Sequence, residues 1–378
     1  MRVLVCGAGY AGVTLARRLE SRLPDDAELV VIDEHHYHLV QHELHRVIRR
    51  PSLATDIAVR LDGLFDRAET REGRVERIDR DRRVVEVDGE ELSYDYAAIC
   101  LGAETATYGL PGVAEHGLPL KRLPDAERIR EAVLGVREGG TVVVGGAGLS
   151  GVQVAGELAA LSREADREFR VLLAEREAEV APNFPENFRG AVRSELEARD
   201  VEVLTDRRLT RATGSSVEFE GRAPIGYDAF VWTGGIRGTD ALGGRRPFVR
   251  ADLRLDDRTF VVGDAARVVD ADGQAVPASA QAAIREARVV ADGIAALVES
   301  SSDGVFAPRT ERYTFDSLGW LVSVGDGAVA QVGPTVLTGG AAHALKASVG
   351  VGYLSSIGAL RTAAELVDEE FGIATEEG

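Results

Sequence analysis

Two hydrophobic rhythms alternate along the chain. It opens on an apolar run, "RVLVC", that leads straight into Gly7-Ala8-Gly9-Tyr10-Ala11-Gly12. Such a run predicts a buried strand. Past Gly12 the period changes. Val13, Leu15, Ala16, Leu19 and Leu23 recur at helical spacing, so "VTLARRLESRL" predicts a helix. "AELVVIDEHH" then predicts a strand ending in an acid, Asp33, 26 residues after Gly7. The same succession returns further on. "VVVGGAGLSG" holds Gly146, Gly148 and Gly151, "VQVAGELAALSRE" predicts a helix, and "EFRVLLAEREAE" predicts a strand carrying Glu175, 29 residues after Gly146.

The segments downstream of the two copies are also alike. "RVERIDRDRRVVEVDGEELSYDYAAICLGA" predicts three short strands with a turn at Asp88-Gly89 and a final strand ending at Gly102. "VEVLTDRRLTRATGSSVEFEGRAPIGYDAFVWTGGI" predicts the same and ends at Gly234. The repeat is therefore a whole dinucleotide-binding unit, and the fold class expected is α/β with two Rossmann-like domains. In each glycine turn the first glycine makes the bend and the second admits a pyrophosphate close to the backbone. The third lets helix pack on strand, and the helix N-terminus faces the phosphate charge. The acid at the strand end suits a ribose hydroxyl. Two such sites in one chain suggest a resident flavin and an exchangeable nicotinamide, with the cofactors carrying the chemistry and the protein orienting them.

With 378 residues, two or three domains are expected. No apolar stretch is long enough for a membrane span, and the chain enters a strand at once, so neither a transmembrane helix nor a secretory signal is expected. Asp and Glu number 62 against 44 Lys and Arg, a net charge of −18, and only Lys121 and Lys346 are lysines. This balance argues against nucleic acid, whose phosphates need basic patches. It also resembles proteins of salt-accumulating cells, where molar salt screens carboxylate repulsion over about 3 Å. Cys6 and Cys100 form no C-x-x-C pair and stand beneath the turns, which predicts buried core thiols, a cytoplasmic chain and no thiol redox cycle.

The layout resembles the two-dinucleotide flavoproteins of the pyridine nucleotide–disulfide oxidoreductase superfamily, a glutathione-reductase-like FAD/NAD(P) fold. "TFVVGDAA" is similar to the superfamily's second flavin motif. "DEHHYHLVQHELHRV", "LPLKRLPDA", "PASAQAAIREARVVADGI" and "VSVGDGAVAQVGPTVLTGGAAHALKASVGVGYLSSIG" resemble segments of its type II NADH dehydrogenase branch, the single-subunit NADH:quinone oxidoreductases. The resemblance implies FAD contacts from Gly7, Gly9, Gly12, Asp33, Glu34, His38, Val75, Gly102, Gly263, Asp264, Ala280 and Gln281, with Asp264 at the ribityl chain. It implies NADH contacts from Gly146, Gly148, Gly151, Glu175 and Gly234. Gln281, Lys346 and Gln153 would be the catalytic group beside flavin and quinone, without a metal. The chain departs from the pattern at Gln153, where the branch has glutamate, at Arg285, where it has glutamine, and at His42, where it has proline.

The boundaries expected are an FAD domain at 1–118 and 240–305, an NADH domain at 119–239 and a C-terminal region at 306–378. Glu175 favours NADH over NADPH, with Arg176 beside it as the opposing signal. Five of the seven histidines lie between His35 and His45; His38, His42 and His45 would share one face if the segment were helical. Leu345, Val349, Tyr353, Ile357, Leu360, Ala364 and Val367 recur at helical spacing, while "VDEEFGIATEEG" is acidic. This stripe would meet the inner face of the cell membrane, the body of the protein or a second copy. Two other readings remain open on these residues: a soluble reductase for ferredoxin or rubredoxin, and a flavin- and NAD-binding redox sensor that does not turn over.

Overall fold

A computed structural model describes residues 1–303 and 310–371. The first apolar run is the strand Arg2–Cys6, paired in parallel with Glu28–Asp33 on one side and Tyr96–Ile99 on the other. Glu69–Glu72 and Thr259–Val261 complete a five-stranded parallel sheet. Its inner strands read as continuous apolar runs because both faces are covered, whereas the edge strand Glu69–Glu72 is polar and mostly exposed. One face takes the helix Tyr10–Glu20, which packs along the long helix Ala280–Asp303 and is tied to it by Arg18, whose guanidinium grips Asp292 at 2.6 and 2.7 Å.

The second unit repeats the first. Gly140–Gly145 pairs in parallel with Phe169–Ala174 and with Ala229–Trp232, and Val201–Leu204 forms the outer edge. Each unit carries a three-stranded antiparallel meander, Val75–Ser93 in the first and Leu209–Gly226 in the second, as the spacing predicts. The chain crosses between units through a short antiparallel pair, Glu104–Thr105 with Ile236–Arg237. Residues 111–118 already pack on the second unit. Ala212 donates its N–H to Pro111, and Leu118 bridges to Val231.

The C-terminal region is an antiparallel sheet, Trp320–Val324, Gly327–Val332 and Thr335–Thr338, followed by the helices Gly339–Ser356 and Leu360–Phe371. Its hairpin sits on the helix Leu149–Glu164 of the second unit. A Cβ at Gly156 would lie 2.4 Å from the backbone nitrogen of Gly325, so the close approach requires glycine there. The apolar stripe does not form one face. The helix ends after Ser356, and Gly358 has a φ of +83°. Tyr353 and Ile357 point inward, whereas Val349, Leu360 and Ala364 point outward. The acidic end of the chain beyond Phe371 lies outside the described residues, as do residues 304–309 around the expected domain boundary. Among the described residues no helix is long and apolar enough to cross a membrane.

Candidate active site

Both glycine turns are built alike, down to individual bonds. Gly7 and Gly146 have φ of +104° and +97°, open to glycine and strained for other residues. A Cβ on Gly12 would lie 1.7 Å from the Gly7 carbonyl oxygen; on Gly151 it would lie 1.8 Å from that of Gly146. Gly9 and Gly148 face open space. Each caps its helix without any side-chain hydrogen bond, so the first-turn N–H groups remain available to an anion. The acids behave alike too. Asp33 accepts from Ala8 N–H at 2.6 Å and His35 N–H at 2.9 Å. Glu175 accepts from Ala147 N–H at 2.7 Å and Glu177 N–H at 3.0 Å. Burial raises the Asp33 carboxyl against the pull of those N–H groups. The Arg176 guanidinium is paired with Glu177 at 2.9 Å.

A cleft of about 1090 Å³ runs from the first turn. This is at the upper end of ligand pockets, commonly about 300–1,000 Å³, and suits an extended dinucleotide. Gly7, Gly9, Asp33, Glu34, Val75, Gly102, Gly263, Asp264 and Ala280 all line it, so the structure gathers most of the expected FAD contacts in one place. Gly12 is buried beneath the turn instead. Glu34 is paired with Arg122 at 2.6 Å. Asp264 is fixed through its backbone, because Arg246 donates to the carbonyls of Asp264 and Ala266, each at 2.6 Å. Lys121 also lines the cleft; burial lowers its ammonium, with Asp264 opposing. The second unit reaches the same cleft through Ser150 and Gln153. In its own glycine turn Gly148 is exposed, as Gly9 is in the first.

Gln281 is turned elsewhere. Its side-chain oxygen accepts from Leu318 N–H at 3.2 Å, tying the long helix to the C-terminal region. Lys346 is buried in a separate small cavity, its ammonium 3.1 Å from Glu43. The three histidines do not share a helix. His38 lies on the strand Tyr37–Leu39, His42 in a 3-10 turn and His45 in the short helix Leu44–Val47. His38 is fully buried. Its Nδ1 donates to the Ala8 carbonyl at 2.9 Å, which leaves Nε2 to accept from Tyr353 at 3.0 Å. Burial pushes the His38 imidazole down to about 4, so it is neutral there.

The sequence reading missed the polar junction behind the cleft. Glu43 is buried between Arg46, at 2.8 Å, and Lys346. Burial alone would raise its carboxyl, but Lys346, His42, Arg46 and His45 outweigh it and hold it well below the usual carboxylate range. Glu157, fully buried on the second unit's helix, lies 2.8 Å from Arg49 of the first. Neither atom of that contact has an aligned hydrogen bond, and burial prevails over the nearby cations, pushing Glu157 up to about 7. His45 lines the cleft with a buried Nε2 that has no hydrogen-bond partner in the protein. The sequence carries no clear signal for this junction, because Glu43 stands among Gln41, His42, His45 and Arg46 and reads as one more polar residue.

Cys6 and Cys100 are both buried and free. Burial pushes Cys6 up to about 12 and Cys100 well above its ordinary value, so both stay as thiols.

The fold and the paired sites define an oxidoreductase that binds two dinucleotides. Residues 1–287 match the family of pyridine nucleotide-disulphide oxidoreductases, and the chain belongs to that family. It is 28% identical over 277 residues to the NADH dehydrogenase-like protein YutJ of Bacillus subtilis, covering 70% of this chain and 76% of that one. It is 25% identical over 358 residues to a type II NADH:quinone oxidoreductase of Staphylococcus aureus, covering 86% and 87%. NDH2 from Plasmodium falciparum, solved in complex with NADH, superposes with a TM-score of 0.83 over 97% of both chains at 13% identity, a likeness of fold.

Proposed function

We propose that this protein is an FAD-bound NADH dehydrogenase that hands electrons on to a quinone. The observation that carries the reading is the bond-for-bond duplication of the glycine turn, with the first copy opening onto the large cleft that Ser150 and Gln153 of the second unit also reach. The similarity to a quinone-reducing relative over most of both chains supports the acceptor. When bound, FAD supplies a two-electron carrier between donor and acceptor. The chain's residues do the positioning. The Gly7–Gly12 turn and its uncapped helix hold the pyrophosphate, Asp33 and Glu34 take the ribose, and Asp264 meets the ribityl chain. The Gly146–Gly151 turn holds NADH, with Glu175 at its adenosine ribose and Gly234 beside the turn. Gln153 and Ser150 face the shared cleft, where near-attack geometry provides most of the rate.

Titrating the purified protein with NADH under anaerobic conditions in molar salt tests this directly. One equivalent is expected to bleach a bound flavin, and a water-soluble quinone to restore the colour. Because Glu175 repels a 2′-phosphate, NADPH is expected to bleach it about tenfold more slowly or worse. A yellow protein that neither nucleotide bleaches would remove the NADH assignment. Bleaching without recovery on adding quinone would remove the acceptor.

We place the protein at the cytoplasmic face of the membrane, held weakly. The outer side of the helix Gly339–Ser356 is mainly small and polar, with Ala341, Ala344, Ser348, Gly352 and Ser355; Val349 is the large apolar residue it exposes. Binding scales with buried apolar area. Flotation with lipid vesicles is therefore expected to leave most of the protein in the aqueous fractions, and co-flotation of the bulk would refute the weak hold.

A further inference from the structure

We infer that Tyr10, His42 and Glu43 form a proton relay that serves reduction of the acceptor. The inference rests on the quinone reading above. Tyr10 and His42 both line the cofactor cleft. The Tyr10 hydroxyl is hydrogen-bonded to His42 Nδ1. The other imidazole nitrogen, Nε2, lies 3.5 Å from Glu43 Oε1. Glu43 Oε2 is in turn held by Arg46 and Lys346. A phenol, an imidazole and a buried carboxylate thus stand in line, from the cleft to the junction of first unit and C-terminal helix. His42 also lines the small cavity with Lys346, whose volume of about 20 Å³ is room for roughly one water.

The chemistry calls for such a device. Reducing a quinone to a quinol takes two electrons and two protons. NADH brings one hydrogen with both electrons, so each turnover draws one further proton from the protein or solvent. Gln153, which faces the cleft from the second unit, carries an amide and has no proton to give. His45 is nearby, but burial pushes its imidazole down to about 3 and keeps it neutral. Imidazole is the side chain that ordinarily titrates near neutrality, and His42 keeps a third of its side chain exposed, 35%. Protonated His42 gives its Nδ1 proton to the Tyr10 oxygen as Tyr10 gives its own proton to the quinone oxygen. The phenol carries no net charge before or after, as its burial requires, since burial raises Tyr10 far above its ordinary value. Neutral His42, with Nε2–H toward Glu43, then regains a proton from solvent.

The groups that set the His42 charge come from every neighbouring element. Tyr10 faces it from the first turn, with His38 and Tyr353 packed around the phenol ring. Glu43, His45 and Arg46 belong to its own segment, and Lys346 acts through Glu43. On the C-terminal helix Gly350 leaves the imidazole room; a Cβ there would lie 3.9 Å from Nε2. Glu157 of the second unit faces Arg46 and Lys346 from behind.

Tyr10→Phe removes one oxygen and keeps the ring, and His42→Gln removes the titrating group. In stopped-flow work on the FAD-loaded protein, each is expected to slow flavin reoxidation by a water-soluble quinone about 100-fold, the lower range for general-acid catalysis. The loss falls on reoxidation rather than on reduction by NADH, and the wild-type solvent isotope effect on reoxidation disappears. A second readout is independent of turnover. The His42 imidazole, monitored by nitrogen NMR, should titrate at lower pH in Glu43→Gln than in the wild type, because the neighbouring carboxylate charge is gone. Tyr10→Phe reoxidised within twofold of wild type, or a His42 imidazole that does not respond to Glu43→Gln, overturns the relay while leaving the quinone reading intact. A wild-type protein that no quinone reoxidises overturns both.

Discussion

Gly12→Ala is expected to yield a colourless protein, and Gly151→Ala a yellow one that NADH cannot bleach. The two glycines hold equivalent places, and the added methyl group would fall 1.7 and 1.8 Å from the carbonyl oxygens of Gly7 and Gly146. Both obstacles are backbone, so the helix must move off its strand and the phosphate-facing N–H groups move with it. Overpacking at a tight site costs about 1–3 kcal/mol or more, so the fold survives while its turn is lost. Gly9→Ala separates structure from ligand. A Cβ there meets nothing within 4 Å in the protein, so the variant should melt like the wild type. Any loss of flavin from it then reports a pyrophosphate lying against the turn. Visible absorbance per polypeptide and an anaerobic NADH titration read all three. A fully flavinated Gly12→Ala protein would mean that the first turn does not hold FAD.

The turns were legible because glycine spacing, strand, helix and terminal acid are all local patterns, and the duplication let each copy check the other. The paired meanders were legible for the same reason. Long-range partners were not. Nothing near Lys346 in the chain signals Glu43, some 300 residues away, yet their contact decides that this lysine is a buried, paired ammonium rather than an open one. The resemblance implies Gln281 at the flavin, and its side-chain oxygen accepts from Leu318 N–H of the C-terminal region, a partner that nothing local in the sequence signals. The histidines share no face, because the condition of a helical period fails in a segment that is part strand, part 3-10 turn and part helix. Buried Arg49 and Glu157 were invisible as a pair, since each reads as an ordinary surface charge until two domains close over them. The glycine turns are thus local features of the chain, and the buried polar junction is a tertiary one.

Stability should be nearly level between pH 4.5 and 6.5, and Glu286→Gln should turn that plateau into a rise with pH. Glu286 is buried beside the second flavin motif and accepts from Gly263 N–H at 2.7 Å. Burial pushes its carboxyl up to about 7, as it does for Glu157. A raised folded value means that the native state holds more protons than the unfolded chain between pH 4.5 and 7. Each group's stability is then fully present below about 4.5 and lost as pH climbs through 7, about 3 kcal/mol apiece. His38 and His45 act in the opposite sense. Burial pushes them down to about 4 and about 3, so the unfolded chain holds more protons below 6.5 and stability falls as pH falls. Across pH 4.5 to 6.5 the two glutamates, with the burial-raised Asp33 on their side, oppose the two histidines. Below pH 4.5 the carboxylates no longer compensate, the depressed Glu43 joins the histidines, and stability should drop steeply. Glu286→Gln keeps an acceptor for Gly263 but removes one downward slope, so relative to the wild type it should gain about 3 kcal/mol between pH 4.5 and 8. Denaturant unfolding at equal flavin loading across that range checks it. Parallel curves for variant and wild type would show that Glu286 is ionised in the fold, and the opposing carboxylate slope would then rest on Glu157 and Asp33.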